Sequence, residues 1–313
     1  MTTATLAAVT LSGPAAMVAN IPAMIGFTPT DSVVAVWLND GSVLVTQRAD
    51  LDDVLKQPTG LTGPMVKHQP DEVILLFWGL NERSDAVAAV IDEAADLSHV
   101  RDALWVKDGR WGSLMCDDPF CCPTEGHEID PCLKAQELPE PPASSRDDLL
   151  AECKPVGTER MKPLDPHGIE GWRDKQIDRA VEAWTVGGFE SEKHLIRAGR
   201  ALHDVRVRDT LLWHVTGLTV DQRRDAYDLV ATVARAMHPD DAAPACTVAA
   251  LCAWLSGDGA RANIAVDYAL ASVPGYSLAL LVQHALNTGM NPQSWIEAMD
   301  DLSYDDVRNG KKR

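Results

Sequence analysis

The stretch DEVILLFWG (residues 71–79), followed closely by SDAVAAVIDEAADL (84–97), decides the fold of the first half of the chain. Its apolar run is continuous and of strand length, the pattern of a central strand covered on both faces. The second stretch repeats Ala and Val at intervals of three and four, the period of a helix with one apolar side. A strand leading into a helix predicts an α/β unit. Upstream, SVVAVWL (32–38) and SVLVTQRADL (42–51) are β-branched runs separated by Asn39-Asp40-Gly41, residues that tolerate positive φ, so they predict a tight hairpin. Downstream, ALWVKDGRWGSLM (103–115) predicts a second hairpin turning on Lys107-Asp108-Gly109. PAAMVANIPAMI (14–25) has helical spacing, with Pro22 expected to kink or end the helix. These segments make residues 1–135 a mixed α/β domain with β-hairpins.

Residues 136–165 are rich in Pro and charge and predict a linker, with one short helix after Ser144-Ser145. From 166 to 313 the spacing is helical. Leu278, Leu281, Val282, Ala285 and Leu286 form one apolar stripe, which Asn287-Thr288-Gly289 stops. Ala262, Val266, Ala269 and Pro274 have the spacing of the second helix of a tetratricopeptide unit, and Tyr227, Ala231, Ala234 and Pro239 form a degraded copy upstream. Small residues at these positions let antiparallel helices approach closely. The second half is therefore expected as an all-helical, tetratricopeptide-like domain, against the alternative of an ordinary bundle with a chance match.

Lys and Arg number 28 against 46 Asp and Glu, a formal charge of −18. That charge repels phosphate backbones and anionic bilayers, which argues against non-specific nucleic-acid binding and membrane association. Hydrophobic residues make up 46% of the chain, enough for a substantial core. MTTATLAAVTLSGPAAM at the start has no basic residue ahead of its apolar stretch, and runs such as VILLFW (73–78) are too short to span a bilayer, so a cytoplasmic location is expected. Thiols are reduced in that compartment. Clustered cysteines then read as metal ligands, reactive thiols or small buried hydrophobes before they read as disulfides.

Such a cluster is present: CDDPFCCPTEGHEIDPC (116–132) holds Cys116, Cys121, Cys122 and Cys132, with His127 among them. Tetrahedral zinc needs four soft or nitrogen donors at one point, and Cys116, Cys121 or Cys122, His127 and Cys132 could supply them. The segment lacks the C-x2-C pairs of most zinc ribbons, and the neighbours Cys121 and Cys122 are expected to point apart. The reading is an ordered loop without metal, shaped by Pro119, Pro123 and Gly126, with metal binding and a redox role as the alternatives. A second loop, IGFTPTDSVV (25–34), offers hydroxyls and a carboxylate shaped by Gly26 and Pro29, and reads as a helix-to-strand turn before it reads as a ligand site. Arg206, Arg208 and Asp209 precede Leu211, Leu212 and Trp213 and read as a pairing across a helix interface before they read as an anion site. No H-E-x-x-H, P-loop, G-x-S-x-G or G-x-G-x-x-G motif occurs, so no cofactor is expected and the catalytic residues, if the chain is an enzyme, are unknown; a Cys and His dyad assembled only in three dimensions leaves no trace in the sequence.

LSGPAAMVANIPAMIGFTPTDSVV, RWGSLMCDDPFCCPTEG, VRVRDTLLW (205–213) and AWLSGDGARANIAVDYALASVPGYSLALLVQHAL together resemble an actinobacterial and actinophage family catalogued as domain of unknown function 4192. The resemblance covers nearly the whole chain. It implies a role for Gly26, Phe27, Pro29 and Ser32 in the first loop, for Cys116, Cys121, Cys122, Pro123 and Gly126 in the second, and for Arg208 and Asp209, and it leaves His127 and Cys132 outside the pattern. The family implies no activity. The leading expectation is a non-enzymatic interaction or regulatory protein whose helical domain docks a basic or amphipathic protein partner, with a homo-oligomer left open. The alternative is an enzyme or small-molecule sensor with its site near the Cys116–Gly126 and Gly26–Ser32 loops.

Overall fold

The computed structural model describes residues 10–80, 84–135, 143–161, 169–186, 188 and 191–310. They fall into two compact units, Met1–Arg146 and Asp147–Arg313. The first is built on a mixed six-stranded sheet of order β2-β1-β3-β4-β5-β6. Strands β1 (Ser32–Asn39) and β2 (Ser42–Asp50) pair antiparallel, and Asn39 faces Ser42 across the turn. Asp40 and Gly41 stand there at φ 49° and 72°, the two positive values of a type I′ turn. β4 (His99–Lys107) and β5 (Arg110–Ser113) repeat the device, with Asp108 and Gly109 at 51° and 74°. β6 (His127–Glu128) adds a short edge to β5.

The strand–helix pair quoted at the outset is the centre of this unit. β3 (Glu72–Trp78) is buried along nearly its whole length, and it runs antiparallel to β1 and parallel to β4. The parallel pair requires a crossover, and after α1 (Gly13–Ile25), α2 (Leu51–Lys56) and α3 (Thr59–Thr62), helix α4 (Asp85–Leu97) supplies it. Ser84 caps α4 by accepting from the Val87 amide, and Val87, Val90, Ile91 and Ala94 face the sheet residues Val33, Ala35, Trp37, Val73, Leu75 and Phe77. The opposite face, including Val34, Val36, Leu76 and Leu104, is buried too. Pro22 does not end α1. The ring removes one hydrogen bond to the Val18 carbonyl, and the helix continues to Ile25, where Gly26 in the left-handed region at φ 83° stops it.

The second unit is all-helical: α5 (Arg146–Cys153), α6 (Ile169–Val186), α7 (Glu192–Ala201), α8 (Val205–Thr216), α9 (Val220–Ala236), α10 (Ala243–Leu255), α11 (Gly259–Ser272), α12 (Ser277–Asn287), α13 (Pro292–Asp300) and α14 (Tyr304–Asn309). Every residue of α10 is buried, and it packs against α8, α9, α11, α12 and α13. Ala231, Ala234, Ala262 and Ala269 lie in this core, as their small size requires. The complete enclosure of α10 departs from the repeat expectation, because a solenoid would leave a helix face open along a groove. The α12 stripe also shifts: Ala279, Val282 and Ala285 are its buried line, and Leu281 is half exposed.

Residues 147–161, expected within a linker, are instead part of this unit. Cys153 is in its core, and the Val156 and Gly157 amides donate to the Arg235 and Met237 carbonyls. Only glycine permits that approach, since a Cβ at position 157 would stand 2.2 Å from the Ala236 carbonyl oxygen. Pro-rich composition hid a strap that is bonded along its length. No helix among the described residues is long and apolar enough to cross a membrane.

Candidate functional site

The cysteine loop leaves β5 and returns as β6. Its geometry comes from short-range backbone bonding: the Asp118 carbonyl accepts from both the Cys121 and Cys122 amides at 3.1 and 2.7 Å, and the Asp118 carboxylate accepts from the Phe120 amide. This tight turn curls Cys121 and Cys122 back toward Cys116. The three thiol sulfurs lie within 4.8 Å of one another. The expectation that the adjacent cysteines point apart is thereby corrected, because the turn at Asp118 rotates both side chains to one side. Burial and the hydrogen bond shared with Cys116 push the Cys122 thiol up to about 11. All four cysteines of the segment are free thiols.

His127 and Cys132 are not part of the convergent group. The His127 ring stacks on Trp111 with centroids 4.7 Å apart, and its Nε2 is 2.9 Å from the Cys121 carbonyl oxygen, so it braces the loop from outside. Cys132 is exposed, its amide donating to Asp130. Gly126 is required where it stands: at φ 71°, a Cβ would lie 2.4 Å from the Trp105 ring and 2.6 Å from the Trp111 carbonyl oxygen. Phe120 at the loop tip is 98% exposed.

In the first loop every singled-out residue has a structural occupation. Gly26 ends α1, Phe27 is buried and bridges Ala143, and Pro29 is buried. The Ser32 hydroxyl donates to the Thr30 carbonyl and accepts from Arg48 Nε at 2.8 Å, which uses its one proton and one of its lone pairs. Arg208 bonds its neighbour Asp209 within α8 at 2.8 Å and donates to the Tyr276 hydroxyl at 2.6 Å, so the bond that leaves the helix goes to a tyrosine rather than to an aspartate.

A site not legible in the motifs lies within the second unit. Helices α6 to α10 enclose a cavity of about 260 Å³. Its floor is alkyl, from Ala183, Ala198, Leu211, Val230 and Val248, and its mouth carries Arg179, His194 and Arg197 together with one carboxylate, Glu182. Neither arginine has a carboxylate partner among the described residues, and Gln176, only 6% exposed, forms no side-chain hydrogen bond among them. The available signal was local charge: residues 193–208 hold Lys193, Arg197, Arg200, Arg206 and Arg208 against Asp204 alone, in a strongly acidic chain.

The fold and these features define a two-unit chain, mixed α/β then all-helical, with a convergent thiol loop in the first unit and an amphipathic cavity in the second. The chain belongs to the family described as Domain of unknown function (DUF4192), whose model matches residues 14–293 and so reaches into both units. No curated protein and no solved structure matches it.

Proposed function

We propose that the chain is a non-enzymatic regulatory protein whose helical unit takes up a small amphipathic anion in the α6–α10 cavity. The observation that carries this reading is the pair of arginines that have no carboxylate partner among the described residues, at the mouth of an alkyl-lined cavity, in a chain with 46 acidic against 28 basic residues. Surplus carboxylates would ordinarily neutralise exposed arginines, so two that form no ion pair among the described residues, beside an apolar hollow, suit a ligand that brings its own negative charge. At about 260 Å³ the cavity is near the lower limit of small-molecule sites and too small for a peptide or a helix. The occupant is thus a small molecule rather than the protein partner expected from the repeat reading. Its alkyl part fills the floor, its head meets Arg179 and Arg197, and Gln176 is placed to bond a polar atom entering from the mouth.

Calorimetric titration of the full chain with octanoate and 4-phenylbutyrate tests this, with methyl octanoate as the uncharged control. Saturable binding of a carboxylate is expected, weakened about tenfold in an Arg179→Gln/Arg197→Gln variant, the equivalent of roughly one charge-assisted hydrogen bond. Filling the floor with Ala198→Phe should abolish it. Failure of both carboxylates to bind, or equal affinity for acid and ester, sinks the reading.

A further inference from the structure

The three convergent thiols serve neither the cavity nor the core. Cys153, Cys246 and Cys252 are fully buried in the second unit, as small hydrophobes would be, whereas Cys116 and Cys122 are half-buried and Cys121 is exposed. Apolar burial therefore does not account for their placement. A turn with two amides on one carbonyl, two flanking prolines and a glycine locked against Trp105 bring sulfurs from three positions within 4.8 Å of one another. Tetrahedral thiolate sites hold sulfur at about 2.3 Å from zinc, which places neighbouring sulfurs a little under 4 Å apart, so little closure is needed.

The geometry points to Cys116, Cys121 and Cys122 as a three-thiolate site for a thiophilic d10 cation, zinc in the first instance, with one coordination position open to solvent. As the three sulfur–metal bonds form, the three thiol protons leave to water, and nothing is oxidised or reduced. The donor set selects soft and borderline ions over magnesium or calcium, which take oxygen ligands. His127 acts from outside the ligand set: its ring bonds the Cys121 carbonyl and holds the backbone that carries two of the ligands. The bound ion clamps the turn that presents Phe120, so the display of that exposed ring depends on the metal. This reverses the sequence expectation of a metal-free loop, which rested on the absence of C-x2-C pairs; here the turn itself does what a two-residue gap does in a zinc ribbon.

The test uses the full chain, purified under reductant and without chelator, with elemental analysis for zinc. The metal-stripped, reduced protein is then titrated with cadmium or cobalt(II), following the ultraviolet thiolate-to-metal absorption. About one ion per chain and a saturating absorption change are expected. Both should be lost in Cys116→Ser and in Cys122→Ser and kept in Cys132→Ser, whereas His127→Ala should keep the stoichiometry and weaken the affinity about tenfold or more. Far-ultraviolet circular dichroism of each variant separates loss of the site from loss of the fold, and Cys121→Ser, at the exposed position, provides a third ligand variant if another unfolds. No absorption change with all thiols reduced would overturn the assignment, as would a change that survives the ligand variants or that requires Cys132. Quantitative loss of two free thiols on exposure to air, with no metal bound under reductant, would assign the loop to disulfide chemistry instead.

Discussion

Arg223 is buried in the second unit, and its guanidinium donates to three main-chain carbonyls, Val215 at 3.1 Å, Thr216 at 2.7 Å and Leu255 at 2.9 Å. These carbonyls lie at the C-terminal ends of α8 and α10, where helices leave their last acceptors unpaired and where positive charge is favoured. One side chain thus terminates two helices at once. Burial pulls the guanidinium below its ordinary value, yet it stays cationic at any pH at which the protein folds. Arg223→Met keeps the aliphatic stem and removes the donors, leaving three buried acceptors unsatisfied, so a loss of about 2–4 kcal/mol is expected in urea denaturation. A loss below about 0.5 kcal/mol would mean that water replaces the guanidinium without penalty. Nothing in the sequence marks this arginine, because its partners are carbonyls from two distant helices rather than a carboxylate at helical spacing. The thiol cluster was half legible for a related reason: composition located it, but the direction in which Cys121 and Cys122 point is decided by the carbonyl of Asp118.

Elements whose signals are local were readable. Asn39-Asp40-Gly41 and Lys107-Asp108-Gly109 specify their turns by the backbone angles they tolerate, and both hairpins form around them. The α4 crossover follows from its period and from the Ser84 cap. Where a local rule conflicts with burial, burial wins, and α1 shows it. Ala16, Met17, Val18, Ala19, Ile21 and Ile25 are buried, and this apolar burial outweighs the hydrogen bond that Pro22 removes. The conflict makes a directional prediction. Replacing Pro22 with Ala restores an amide for the Val18 carbonyl, a gain of up to about 3 kcal/mol in a helix interior, and costs about 0.4–1 kcal/mol through the freer unfolded chain. Pro22→Ala should therefore raise the stability of the full chain by about 1–2 kcal/mol in urea denaturation. A destabilised variant would show that the ring's own packing outweighs the missing bond.

At the scale of the molecule, the decisive segment is the one that composition disguised. Residues 147–161 look like a tether, yet they are bound to the second unit by interactions of three kinds. Cys153 is buried in its core beside Cys246, whose thiol is raised by the hydrogen bond to Cys153 and by burial. Glu152 makes a two-oxygen pair with Arg261 at 2.7 and 2.9 Å, Tyr268 donates to the Leu150 carbonyl, and Arg235 bonds the Ala151 carbonyl. Arg160 pairs with Asp240 and Asp241 at the far end. Exposed pairs such as Arg160–Asp240 contribute about 0–1 kcal/mol. Burial of Cys153 and the two backbone bonds of Val156 and Gly157 contribute more, together about 3–5 kcal/mol. A fragment of residues 144–313 should thus unfold in one cooperative transition, whereas one starting at 166 should be weaker by about that amount and expose apolar surface to a hydrophobic dye. Denaturant unfolding of the two fragments decides between them. Equal midpoints would return residues 147–161 to the role of a linker, and would mean that the half-buried Arg261 and the buried Tyr227 tolerate the loss of Glu152 without rearrangement.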